Sequence, residues 1–245
     1  SVLAQTYTNW EIILWDNKSS DSTGKIVSEF TDDRINYYYS DSYSTLGLAR
    51  NRALGKASGS FLAFLDCDDL WLPEKLEKQV RLFHQDEEIG LVYSDCIYFN
   101  SRGHETNLFS LKRPYRGRRY PEMLNEYCIS MESVILSKKC LESLEIWFDP
   151  AFEVIEEYEL FARVAEKWKV DYVEEPLSKW RMHDASWTWQ KPRLFIDEKY
   201  LMLKKIEDNN GVNERFIDEI NLFKQKITFE EIIYFWKNKE GKRAR

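Results

Sequence analysis

Nine residues, Phe61-Leu62-Ala63-Phe64-Leu65-Asp66-Cys67-Asp68-Asp69, constrain this chain more than any other stretch. An apolar run suited to a buried strand ends in three carboxylates within four positions. Carboxylates repel one another and are costly to desolvate, so three at a strand end need a cation, donors or water. The carboxyl end of a strand in an open α/β sheet is also where ligand crevices form. A hard metal ion sharing its coordination with a substrate phosphate satisfies both conditions. Helix capping is the competing use. Leu70-Trp71-Leu72-Pro73 leads into Glu74-Lys75-Leu76-Glu77-Lys78-Gln79-Val80, Pro73 suits a first helical turn, and one of Asp68 and Asp69 is expected to cap it. Two carboxylates then remain for a metal and a nucleotide.

The 245 residues, 43% of them hydrophobic, suffice for one substantial core, or a core with a small appendage. A net charge of -7 argues against a general nucleic-acid binder, which needs a basic face to displace counterions. No apolar run approaches the ~20 residues of a membrane span. No signal-peptide pattern is visible, and Cys67, Cys96, Cys128 and Cys140 are widely spaced without a CxxC pair. They read as reduced thiols, so a cytoplasmic protein is expected.

Along the chain, strand and helix patterns alternate. Strands are expected at Asn9 to Asp16, Arg34 to Tyr39, Ser60 to Asp66 and Gly90 to Asn100. Helices are expected around Ile26, Val27 and Phe30, from Thr45 to Ala57 with Ser58-Gly59 closing it, and from Pro73 to Gln85. This alternation implies an α/β fold with a mainly parallel sheet and helices on both faces. Beyond residue 100 come a basic loop (Lys112 to Arg119), a strand around Ser133 to Leu136, a helix from Glu156 to Trp168 and a short strand around Val170 to Glu174. From Pro192 the chain reads as charged helices, broken at Asp208-Asn209-Asn210-Gly211, with a basic end.

Four segments, in order, resemble a family 2 glycosyltransferase of the GT-A type over roughly the first 190 residues. Ser1-Val2-Leu3-Ala4-Gln5-Thr6-Tyr7 with Trp10-Glu11-Ile12-Ile13 is similar to that family's first helix end and second strand. Trp15-Asp16-Asn17-Lys18-Ser19-Ser20-Asp21 resembles its "DDGSTD" nucleotide loop. Leu48-Ala49-Arg50-Asn51-Arg52-Ala53 with Phe64 to Asp69 resembles its "AARNRG…FLDSDD" block, which holds the DXD motif. Ile155 to Arg163 and Trp180-Arg181-Met182-His183 resemble "EDYDLFLR" and "YRxH". The resemblance implies a Rossmann-like GT-A domain over 1–190, its nucleotide half about 1–100 and its acceptor half about 101–190, with a helical extension over 191–245.

The departures are specific. The family's first strand and "PTYN"-like loop have no counterpart before Ser1, so an N-terminally truncated chain is expected. Asn17 and Lys18 stand where a second acid and a Gly are usual, and Glu157 stands where the catalytic acid is Asp.

The resemblance implies an inverting glycosyltransferase that takes a nucleotide sugar, with a UDP-sugar expected, and uses a divalent ion (Mn or Mg). Asp68 is the implied metal ligand, with Asp66 on ribose or a metal-bound water, and His183 is weighed equally as a completing ligand and a structural His. Asp16 is placed to accept from a pyrimidine ring N–H, although plain loop capping explains it as well. Arg50 is assigned to ribose or phosphate against the commoner fate of an exposed helix Arg. An acceptor hydroxyl needs a base to attack, and Glu157 is that implied base, near a helix start that favours its ionised form without raising its basicity. Glu156 is read as an ordinary first-turn acid, with acceptor binding as its alternative role. Trp187 and Trp189 are candidates for stacking on an acceptor sugar, against packing of the C-terminal helices.

The expected partners are the nucleotide-sugar donor and a saccharide or lipid-linked acceptor in surface polysaccharide or glycolipid assembly, with no nucleic acid. Two rivals differ in class. Haloacid-dehalogenase-type phosphoryl chemistry wants its Asp on the first strand and a Thr or Val where Leu70 stands. A non-catalytic nucleotide- or glycan-binding remnant would turn over no donor. The cluster Phe229, Ile232, Ile233, Phe235 and Trp236, followed by Lys237, Lys239, Lys242, Arg243 and Arg245, suits either packing plus a solubilising end or a peripheral contact with the inner face of a membrane.

Overall fold

In the computed structural model, which describes residues 1–184, 186 and 190–238, a short 3₁₀ turn (Val2–Ala4) leads into β1 (Ile12–Asp16), α1 (Thr23–Ser28), β2 (Ile35–Tyr39), α2 (Leu46–Leu54) and β3 (Phe61–Ala63). The chain continues through β4 (Leu70–Trp71), α3 (Lys75–Phe83), β5 (Ile89–Asn100), β6 (Glu105–Asn107), α4 (Leu108–Leu111), α5 (Tyr120–Asn125), β7 (Ile135–Ser137), α6 (Lys138–Glu142) and α7 (Glu156–Lys167). It ends with β8 (Lys169–Met182), α8 (Pro192–Glu207), α9 (Asn210–Arg215) and α10 (Ile217–Lys237).

β5 is the centre. Its first eight residues are buried, as expected of a strand covered on both faces. Side chains alternate across it. Leu91 and Tyr93 face the larger core, where Phe148, Phe152, Leu160, Phe161 and Val164 gather, while Val92 faces Leu76, Val80 and Phe83 of α3. The C-terminal helices belong to the same larger core, through Ile196, Met202, Leu203, Ile220, Phe223 and Ile227.

The α/β reading holds, but the sheet is mixed rather than mainly parallel. The larger sheet runs β3-β7-β5-β8-β4, with β6 on β5. β5 and β8 pair in parallel, whereas β7 lies antiparallel to both β3 and β5, and β4 antiparallel to β8. β1 and β2 form a separate parallel pair, with Ile12 opposite Ile35 and Asp16 opposite Tyr39.

Three local expectations change for physical reasons. β8 is 14 residues long, not a short strand ending at Glu174. Register shifts near Asp95 let it pass Glu174-Glu175 and resume pairing at Pro176. α2 ends at Gly55, not at Ser58-Gly59, whose backbone N–H groups instead donate to the Glu11 carboxylate at 2.7 and 3.2 Å. Neither Asp68 nor Asp69 caps α3. Glu74 holds the N-cap position without a side-chain bond, because the acidic turn is used elsewhere.

Candidate active site

The acidic turn after β3 is pinned by the end of β8. Asp69 is buried and accepts the backbone N–H of Arg181 (2.8 Å), while the Arg181 guanidinium donates to the Asp68 carbonyl (2.9 Å). Burial, reinforced by nearby Glu132, pushes the Asp69 carboxyl up to about 8. Asp69 is thus a tie between turn and strand. The other two carboxylates remain accessible, with side chains 47% exposed at Asp66 and 42% at Asp68.

β8 runs directly into His183, whose Nε2 lies 2.8 Å from Asp68 Oδ2. Carboxylate oxygen suits manganese and magnesium alike, while an imidazole nitrogen suits the transition metal better, so with substrate phosphates completing the shell the pair fits manganese more readily than magnesium. Among the described residues, no three His, Cys, Asp or Glu side chains gather as a complete protein metal site.

Arg50, on α2, is nearly buried rather than an exposed helix arginine. One guanidinium nitrogen lies 2.7 Å from Glu156 Oε1 and the other 3.1 Å from Asp66 Oδ1. The fork therefore joins the acidic turn to the start of α7. This corrects the ordinary first-turn reading of Glu156, which is only 2% exposed and has one oxygen, Oε2, without a partner. Burial, together with the neighbouring Glu157 charge, pushes the Glu156 carboxyl up to about 8 against the pull of Arg50. Glu157 is likewise pushed above its ordinary value by burial. Burial therefore leaves it more basic than its place at a helix start alone implies.

Asp16 ends β1 and is buried. Its Oδ1 accepts the Ser19 N–H (2.7 Å) and its Oδ2 accepts the Tyr37 hydroxyl (2.6 Å). Burial pushes this carboxyl up, but those donors outweigh it and hold it below its ordinary value, while Tyr37 rises to about 12. Asn17 fastens the same loop to Ser44, donating to its carbonyl at 2.7 Å and accepting from its N–H at 3.2 Å and hydroxyl at 3.0 Å.

Trp187 and Trp189 lie outside the described residues. In the basic loop, Arg116 pairs with Asp171, Arg118 with Glu88 and Arg119 with Glu122. Other residues carried no sequence signal. Glu132 is buried beneath the turn, accepting from the Cys96 thiol (2.8 Å) and Ser130 hydroxyl (2.6 Å). Lys75 is fully buried on α3, donates to Gln79 and is pushed down to about 7 by burial. A Lys at a helix start and a lone Glu are ordinarily solvated, so only their burial in the fold reveals them.

The acidic turn after β3, the Arg50 fork and the two glutamates that open α7 thus lie together in one place. The family model for glycosyl transferase family 2 matches residues 1–144. The chain belongs to that family. It is 43% identical over 101 residues to UDP-Glc:alpha-D-GlcNAc-diphosphoundecaprenol beta-1,3-glucosyltransferase WfgD of Escherichia coli, covering 41% of this chain and 40% of that protein. It is also 44% identical over 82 residues to the putative teichuronic acid biosynthesis glycosyltransferase TuaG of Bacillus subtilis, covering 33% of this chain and 32% of that protein. These matched segments span less than half of either relative.

The fold is that of GT-A glycosyltransferases. S. aureus TarS in complex with UDP superposes with a TM-score of 0.64 at 18% identity, covering 84% of this chain and 59% of that one. Mannosyltransferase PcManGT from Pyrobaculum calidifontis, in complex with GDP-Man and Mn2+, superposes with a TM-score of 0.68 at 16% identity, covering 94% and 65%.

Lys18, in the loop after Asp16, has φ of 71°, a left-handed conformation that side chains with a Cβ adopt at a cost. Lys18→Gly is expected to raise stability by up to about 1 kcal/mol, the strain relieved less the entropy a Gly adds to the unfolded chain. Urea denaturation checks this, and an unchanged or lower midpoint would show the loop to be unstrained.

Proposed function

We propose that this chain is the catalytic part of a metal-dependent, inverting glycosyltransferase that moves a sugar from a UDP-sugar to a saccharide or lipid-linked acceptor in surface polysaccharide or glycolipid assembly. The observation that carries the reading is the Arg50 fork, which joins Asp66 of the acidic turn to Glu156 beside Glu157. The two ends of a displacement, leaving diphosphate and attacking hydroxyl, thereby meet at one side chain. The relative named for UDP-Glc and TarS with UDP support a UDP donor.

Asp16 is assigned to the base, its ionised form maintained by Tyr37 and Ser19, and Asp66 with Arg50 to the ribose and diphosphate side. Asp68 and His183 would hold the divalent ion, which when bound neutralises charge developing on the diphosphate. Glu157 takes the proton from the acceptor hydroxyl, and its raised proton affinity suits that task near neutral pH. Displacement with this one base inverts the anomeric centre.

Asp68→Ala should abolish the manganese-dependent gain in UDP affinity with the fold intact. Glu157→Gln should keep UDP binding and lose transfer by ~100-fold or more. Because Glu157 is raised, wild-type transfer should fall as pH drops through a midpoint above its ordinary 4.5. Calorimetry with UDP and Mn2+, beside transfer rates from a panel of nucleotide sugars, checks all three. Unchanged metal-dependent binding, or near-normal transfer by Glu157→Gln, would remove the respective role.

A lipid-linked acceptor, like the diphosphoundecaprenol in the WfgD name, would bring a cytoplasmic enzyme into peripheral contact with a membrane, and the inner face is the setting this reading takes. No described helix is long and apolar enough to cross a membrane. On α10, however, Phe229, Ile232 and Trp236 are exposed at helical spacing, and the sequence continues through Lys237, Lys239, Lys242, Arg243 and Arg245. Co-sedimentation with anionic vesicles at low salt should weaken when residues 237–245 are removed. Equal partitioning of the two proteins would contradict membrane docking through this end.

A further inference from the structure

Glu198 lies on α8, beyond the segment the family model matches, yet it is only 5% exposed. Its carboxylate accepts three consecutive backbone N–H groups: Glu153 at 2.7 Å, Val154 at 3.0 Å and Ile155 at 3.0 Å. These are the last residues before α7, whose N-cap residue is Ile155, a side chain that supplies no acceptor. An N-cap Ser or Asp would accept from amides inside the first turn, whereas Glu198 grips the cap residue and the two residues before it and so fixes how the chain enters α7.

The grip extends along one face of α8 and its cap. Lys191 pairs with Glu153 and Lys205 with Asp149, and positions 191, 198 and 205 are seven apart, close to two helical turns. Lys205 also lies over the Phe152 ring at 5.2 Å. Asn51 of α2 brackets Phe148, donating to its carbonyl at 2.7 Å and accepting its N–H at 2.9 Å. Residues 148–155 are thus held from two elements, and Glu156 and Glu157 follow immediately.

We propose that Glu198 is a positioning residue of the transfer reaction: its carboxylate fixes the start of α7 and, through it, the place of Glu156 and Glu157 relative to Arg50. The proposal rests on the reading of Glu157 as the base. Burying a carboxylate is costly, and three charge-assisted bonds to amides that lack other helical partners offset that cost here. Small displacements of a base cost rate rather than donor affinity, because donor contacts lie on the β1 loop and the acidic turn. The C-terminal helices are in this account part of the catalytic apparatus.

The test compares wild type, Glu198→Gln and Glu198→Asp in the full chain. Glu198→Gln keeps the size, removes the charge and brings an amide NH2 towards backbone donors. It should lower kcat about ten-fold or more while UDP affinity and donor KM stay within about two-fold. Amide exchange at 153–155 should accelerate, and Glu198→Asp, which keeps the charge, should recover part of kcat. Unchanged kcat, a loss matched by loss of UDP binding or of folded protein, or no recovery in Glu198→Asp would overturn the proposal. If wild type transfers no sugar from any nucleotide donor, the functional reading fails instead. In that case unchanged amide exchange in Glu198→Gln would separately dismiss the positioning role.

Discussion

The forked ion pair of Arg50 is the contact on which the rest of the site depends. A guanidinium this buried is costly to desolvate and persists only with charged partners in good geometry. Arg50 has two, Asp66 at 3.1 Å and Glu156 at 2.7 Å, separated by 90 positions in the sequence. A lysine would offer a single point charge and could not span both. The fork thus sets the distance between the strand-end acids and the helix bearing Glu157. It also explains the strained balance at Glu156, where Arg50 favours the ionised form while burial and Glu157 oppose it.

Around that contact, three neighbouring aspartates have separate environments. Asp66 is paired with Arg50, Asp68 is exposed beside His183, and Asp69 is buried and spent on β8. Only the partition makes three carboxylates in four residues tolerable, since none carries its charge uncompensated in the interior. β8 supplies the partition. Pairing between Trp71 and Ser178 brings its end alongside the turn, and Arg181 and His183 then reach Asp69 and Asp68.

Much of this was legible from residues close in sequence. The apolar run ending in acids announced β3 and its turn, and helical spacing announced α2, α3 and α7. Local pattern could not show where a side chain's partner comes from. Glu156 looked like a solvated first-turn acid because its burial depends on Arg50, 106 residues away. Asp69 was one of two candidate caps because its true partner, the Arg181 N–H, is 112 residues on. Glu174-Glu175-Pro176 looked like a strand end because a bulge that absorbs polar residues leaves no periodic trace. Long-range polar pairing, more than secondary structure, was the hidden part, and it is what assembles the site.

A double-mutant cycle between Arg50→Lys and Glu156→Gln, read as kcat/KM for sugar transfer, tests that dependence most directly. Both side chains act through one contact here, so the double variant should lose little more than the worse single one, with a coupling above about 1 kcal/mol. Independent, additive losses would mean that Arg50 does not join the acidic turn to the start of α7, and the account of this site would fail.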